Sequence, residues 1–193
     1  MKSEIITTNT TPNYVFRYER NYRIFYSICP ANELLINGRG NVDFEVVLDE
    51  VLSIENRPVY DRIDYIRGSK QVFDELLISN NIPFLIFAYD KVLNDISVGY
   101  ILLGFNKQYK TTEISLLYVA EGYRNKNIGS NLLELAILIA KENNITTITL
   151  KTLESQNYIV NLYKKFGFSK NRIIPNRPGD VGEENFVEYT LKL

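Results

Sequence analysis

The sequence predicts a single α/β domain built on a mixed, largely antiparallel central sheet with flanking helices, and three observations predict it. The first is a strand–helix–strand succession over 113–151. Ile114 to Val119 is a β-rich run, Ile128, Leu132, Leu133, Ala136, Ile137 and Ala140 then recur at helical spacing, and 145–151 is rich in Ile and Thr. Such a crossover returns the second strand parallel to the first. The second is a pair of apolar runs, 84–89 and 96–105, around Asp90 and Asp95, most simply an antiparallel hairpin continuing into 113–119 as a meander. The third is a closing pair of strands, 168–174 and 186–193. No internal repeat and no linker interrupts the chain.

Taken in order, residues 1–12 are rich in Ser, Thr and Asn and are expected to be flexible, which leaves 13–193 as the domain. Runs at 14–18 and 22–28 read as strands, and Pro30 ends the second. A short helix over 31–36 stops at Asn37-Gly38. The stretch 43–54 fits both helical and strand periods, and its length favours a helix. Residues 57–67 mix aromatic and charged side chains and support no assignment. Ser69 reads as the N-cap of a helix carrying Val72, Phe73, Leu76 and Leu77 on one face and ending near Asn80-Asn81. A helix over 156–166 places Ile159, Leu162, Tyr163 and Phe166 together and stops at Gly167.

With 193 residues, 45% apolar and 23% charged, the chain can bury one proper core. A formal net charge of −1 gives no general attraction to nucleic acid or to an anionic membrane, so neither partner is expected. Histidine is absent, which excludes a Ser-His-Asp or Cys-His nucleophile and any His-ligated metal; no metal is expected. The single cysteine, Cys29, cannot form an internal disulfide. It suits a reducing compartment and, beside Ile28 and Pro30, reads as a small hydrophobe. No apolar run has the length of a membrane span, and the polar start of the chain has no signal-peptide core. The expected compartment is the cytoplasm.

Chemistry concentrates in 113–130. A strand there feeds a helix through Arg124-Asn125-Lys126-Asn127-Ile128-Gly129-Ser130. The first N–H groups of that helix lack intrahelical acceptors and lie at the positive end of its dipole, which together make an anion site. Gly129 permits close approach of a ligand, Asn127 tolerates a left-handed turn conformation, and Arg124 and Lys126 add positive charge. The ligand implied carries phosphate, best a pyrophosphate. The plain alternative is a polar β–α turn with no ligand.

The stretch LYVAEGYRNKNIGS resembles the acyl-CoA-binding signature of the GNAT superfamily of N-acetyltransferases, Arg/Gln-x-x-Gly-x-Gly/Ala. Arg124 and Gly129 hold its outer positions, and Asn127 stands where the first glycine would be. A second stretch, 154–168, resembles another GNAT signature, in which an Asn after a strand starts a helix that closes with Leu-Tyr-x-x-x-Gly-Phe. Two motifs in order and at the right spacing, spanning the core 84–168, are far more specific than either alone.

The resemblance implies an acetyl-CoA-dependent N-acetyltransferase that moves an acetyl group to a primary amine of a small molecule or peptide within a ternary complex. Acetyl-CoA would lie between the strands ending at Val119 and Lys151. Backbone groups over Leu117-Tyr118-Val119 would meet the pantetheine, and Arg124 to Ser130 the pyrophosphate. Asn157 would bond the pantetheine, and Tyr163 would be the general acid at the leaving sulfur. For the base, Glu113, placed by alternation on the face of Ser115 and Leu117, would act through water, against the alternative of a solvated strand-edge Glu. From their charge, and not from the resemblance, Asp180, Glu183 and Glu184 would receive a cationic acceptor, against the alternative of a loop that is only solvated. Other readings are a catalytically silent acyl-CoA-binding or interaction module, favoured by Asn127, and an RNA-directed, toxin-like acetyltransferase, opposed by the acidic balance. The sequence gives no oligomeric state, and a homodimer stays open.

Overall fold

The computed structural model describes residues 4–6, 15–17, 24–30, 49, 51–78, 81–94, 96–175 and 184–193. Among these residues the strands are β1 (Glu4–Ile6), β2 (Val15–Arg17), β3 (Ile24–Pro30), β4 (Ile82–Asp90), β5 (Ile96–Asn106), β6 (Thr111–Val119), β7 (Thr147–Leu153), β8 (Ser169–Ile174) and β9 (Phe186–Lys192). The helices are α1 (Val59–Ile78), α2 (Ile128–Glu142) and α3 (Asn157–Lys165). All the strands lie in one sheet in the order β1-β2-β3-β4-β5-β6-β7-β9-β8. Its one parallel pair is β6 with β7, the neighbours that the 113–151 crossover was expected to join. The remaining pairs are antiparallel, with β4-β5-β6 as the expected meander.

The sheet's centre is β5, whose nine inner positions are all buried because helices cover it on both faces. Its glycines mark the two contacts. A β-carbon at Gly104 would stand 2.5 Å from Leu76 Cδ2 of α1. One at Gly99 would meet Ile128 of α2 and, at 2.9 Å, the carbonyl oxygen of Tyr118. Residues of opposite parity on a strand point to opposite faces, so α1 and α2 sandwich the sheet. The Tyr65 and Tyr100 hydroxyls meet at 2.9 Å on the α1 face, while Asn131 Nδ2 of α2 donates to the Tyr26 hydroxyl at 2.9 Å on the other. Helix α2 buries Ile128, Leu132, Leu133, Leu135, Ala136, Ile139 and Ala140, the stripe its periodicity requires.

Several boundaries differ from the sequence reading. Helix α1 runs unbroken through the aromatic and charged stretch that supported no assignment, and Ser69 lies in its middle, 3% exposed, instead of capping it. Packing decides this: Tyr65, Ile66 and Val72 lie against the core, which leaves Asp64 and Arg67 outside. Ser69 is tolerated because its hydroxyl meets those of Tyr65 and Tyr100. Residues 51–54 are helical, with Val51 and Leu52 fully buried, in line with the helix favoured for 43–54. Within the stretch expected to be flexible, Glu4–Ile6 pairs with β2 as the sheet edge. The 31–36 helix, Asp180 and Glu183 fall outside the described residues.

Candidate active site

β6 and β7 pair in register only from Thr111↔Thr147 to Ile114↔Leu150, although β6 continues to Val119 and β7 to Leu153. Beyond Ile114 the strands part, and a cleft opens between them. A bulge accompanies the parting: Leu103 pairs with Ile114 but Leu102 with Leu116, so Ser115 is an extra residue on β6. The bulge also breaks the alternation assumed for Glu113. Glu113 faces Gly104, and Leu116 and Tyr118 face Leu102 and Tyr100, so Glu113 shares their face and not that of Leu117.

Past the bulge the ladder is regular. The Ala120 N–H donates to the Val98 carbonyl at 3.0 Å, so alternate residues turn toward β5 and the N–H groups of Leu117 and Val119 turn toward the cleft. The Val119 carbonyl on that side accepts Arg124 Nε at 3.0 Å. Tyr118 turns away from the cleft: its backbone N–H and carbonyl face β5, and its ring stacks on Tyr100 at 5.8 Å and packs against Tyr65 on the α1 face. Its hydroxyl is buried with no partner within hydrogen-bond distance.

The turn between β6 and α2 is held from below. Tyr123 is buried, and its hydroxyl donates to Asp90 Oδ2 at 2.6 Å. Lys126 folds over the Tyr123 ring and donates to the Gly122 carbonyl at 2.7 Å. Arg124 is committed too, for its Nη2 pairs with Glu55 Oε1 at 3.0 Å. Neither cation is the freely mobile charge the sequence implied.

Asn125 and Asn127 both adopt left-handed backbone conformations, at φ 60° and 63°. Asn127 is the N-cap of α2, and asparagine is among the side chains that enter this region most readily, which is why it stands where a glycine would. After it, the Ile128, Gly129 and Ser130 N–H groups have no protein acceptor among the described residues, as expected of a first helical turn; the fourth, that of Asn131, reaches the Asn127 carbonyl at 2.9 Å. A β-carbon at Gly129 would lie 3.6 Å from Val119 and 3.8 Å from Leu162, so the end of β6, the start of α2 and α3 converge here.

Helix α3 carries the remaining candidates. Asn157 is its first residue and exposed. Tyr163 is buried beside Phe168 and Tyr189, and its hydroxyl has no protein partner among the described residues. Burial pushes its phenol well above the usual tyrosine range, with Tyr158 adding to the shift. Gln156, the N-cap residue of α3, is a further polar residue here; its Oε1 accepts the Thr152 hydroxyl at 2.6 Å. Only the spacing of its neighbours hinted at it.

Glu184 does not wait for a cation: it accepts the Ser155 N–H and, at 2.8 Å, the Ser155 hydroxyl, and so fastens the β7–α3 turn. Glu113 is half-exposed and ion-paired with Lys151 at 3.0 Å, on the sheet face away from α2. The fold thus gathers 117–130 with α3 and leaves Glu113 on the other side of the strand.

A conserved-domain description, that of the acetyltransferase (GNAT) family, matches residues 48–168. The chain belongs to the GNAT family. Among solved GNAT-fold structures, a Bacillus subtilis acetyltransferase in complex with CoA is similar at 25% identity and a TM-score of 0.52, over 65% of this chain and 85% of that one. Arabidopsis thaliana Naa50, in complex with the bisubstrate analogue CoA-Ac-MVNAL, is similar at 28% identity and a TM-score of 0.51, over 56% and 72%. Nourseothricin acetyltransferase shares the fold at 16% identity and a TM-score of 0.53 over 57% of this chain; the match spans 65% of its length, less than two thirds. No curated protein matches the sequence. The segment that the GNAT description covers runs from the helical residues before α1 to the end of the α3 motif, and β1 to β3 lie outside it. Among the described residues no helix is long and apolar enough to cross a membrane, and no group of acidic or cysteine residues is arranged to hold a metal.

Proposed function

We propose that this GNAT protein is an N-acetyltransferase that uses acetyl-CoA to acetylate a primary amine of a small molecule or peptide by direct attack in a ternary complex. The observation that carries the reading is the parting of β6 and β7 beyond Ile114/Leu150, whose far end at Val119 lies beside Gly129 at the start of α2. The residues present fit such a ligand: a strand edge with free backbone groups for an extended arm, and a turn of donors for a pyrophosphate.

Acetyl-CoA supplies an acyl carbon activated as a thioester. The Leu117 and Val119 N–H groups are the donors available to the acyl oxygen, where negative charge develops. Tyr163 is protonated at neutral pH, as any phenol is, and burial raises it further, so it holds a proton for the leaving sulfur and regains one from solvent. Asn157 and Gln156 orient the arm at the start of α3. Glu113, ion-paired with Lys151 on the face away from α2, would take the amine's proton through water only from an amine that approaches on that face. Holding amine and thioester together contributes the larger share of the acceleration.

Calorimetric titration with acetyl-CoA and CoA, followed by a screen of primary amines as acceptors, tests the reading. Binding on the order of micromolar and turnover of at least one amine are expected. Tight CoA binding without turnover of any amine would favour a silent acyl-CoA-binding module, whereas a Tyr163→Phe variant no slower than wild type would remove Tyr163 as the proton donor.

A further inference from the structure

Glu55 lies in the turn between the helical residues 51–54 and α1, far in sequence from the cleft. Its side chain is only 2% exposed, yet it is fully partnered. Oε2 accepts Arg57 Nε at 2.7 Å. Oε1 accepts the Glu121 N–H at 2.6 Å and Arg124 Nη2 at 3.0 Å. Glu121 and Arg124 bound the 3₁₀ turn that leads into the α2 N-terminus, and Arg124 also clasps the Val119 carbonyl. One enclosed carboxylate therefore ties the end of β6, the phosphate turn and the approach to α1.

We infer that Glu55 is a positioning residue that pre-organises the co-substrate turn, with Arg124 acting first as its partner and only through its remaining N–H groups as a ligand to phosphate. The inference rests on the acyl-CoA reading. Simple Coulomb reasoning predicts the reverse, since a carboxylate beside an anion site repels the anion and its removal should tighten binding. The geometry decides otherwise. Two guanidinium groups balance the Glu55 charge, and an N–H of the turn's own backbone ends on it. Without it, the turn must be ordered at the moment of binding, which weakens affinity.

The sign of the effect is the test. CoA titrations would compare wild type, Glu55→Gln, Arg124→Gln and the double variant, with amide hydrogen exchange of residues 121–130 measured in the free proteins. Glu55→Gln should weaken CoA about tenfold and speed exchange across the turn. The double variant should lose less than the sum of the two single losses, because the two side chains share one contact. In turnover, KM for acetyl-CoA should rise while kcat stays within about twofold, a split that general loss of structure does not produce. Unchanged or tighter CoA binding by Glu55→Gln, or additive losses in the double variant, would overturn the inference. Should Glu55→Gln fail to fold, Arg124→Gln opens the same contact from its exposed side, and its exchange pattern decides. Wild type that binds no CoA would defeat the functional reading alone; unaltered exchange in both single variants would then defeat the clamp as well.

Discussion

Tyr163 and Asn127 show what a single side chain contributes here. The Tyr163 ring is buried, and its hydroxyl bonds no protein group among the described residues, so it is available to a ligand. Removing that hydroxyl in Tyr163→Phe keeps the ring packing against Phe168 and Tyr189, so the fold should survive. Steady-state kinetics should then show kcat lower by about a hundredfold, with KM for acetyl-CoA little changed. Asn127 holds φ 63° at the head of α2. Asn127→Gly should preserve stability, because glycine enters this region freely, whereas Asn127→Val should lower it by about 1–2 kcal/mol in urea unfolding. Equal stability of the two variants would mean that the left-handed turn is not required.

At the scale of elements, the site depends on how closely β5 and β6 approach. A β-carbon at Gly99 would stand 2.9 Å from the Tyr118 carbonyl, a backbone atom of the β5–β6 ladder that cannot swing away. Gly99→Ala should therefore lower stability by about 1–3 kcal/mol and weaken CoA binding together, as seen by paired unfolding and titration. The turn before α2 offers a contrast. Tyr123→Phe removes a buried donor from Asp90 and should cost about 1–3 kcal/mol, again by urea unfolding. The bulge at Ser115 works on both fronts, since it ends the parallel pairing and sets which face Glu113 occupies.

Across the whole molecule, buried tyrosines couple folding to alkaline pH. Burial raises the phenols of Tyr65, Tyr100, Tyr118 and Tyr163 above their ordinary value. In the unfolded chain they titrate near pH 10. A group whose folded value lies higher contributes stability that is complete below about pH 10 and is lost as pH rises through the folded values. Urea midpoints should thus hold steady from about pH 7 to 9 and fall steeply above about pH 10, more shallowly in Tyr163→Phe. A steep fall below about pH 9 would point to other groups.

The sequence by itself determined the order of the elements from 82 to 193, the parallel crossover and the turn that would meet an anion, because each is written in local periodicity and turn chemistry. Ile128, Leu132 and Ala136 declare their helix face without help from the rest of the chain. The tertiary structure alone decided α1, where Tyr65 and Ile66 make a helix of a stretch with no clean period once the sheet lies beneath them. It decided Glu113's face, since one extra residue at Ser115 reverses every parity before it. It also decided which charges are available: Arg124, Lys126 and Glu184 look free in the chain but are bonded in the fold. Periodicity reports which residues face inward along one element. A partner brought from a distant segment, as Glu55 is to Arg124, leaves no local trace.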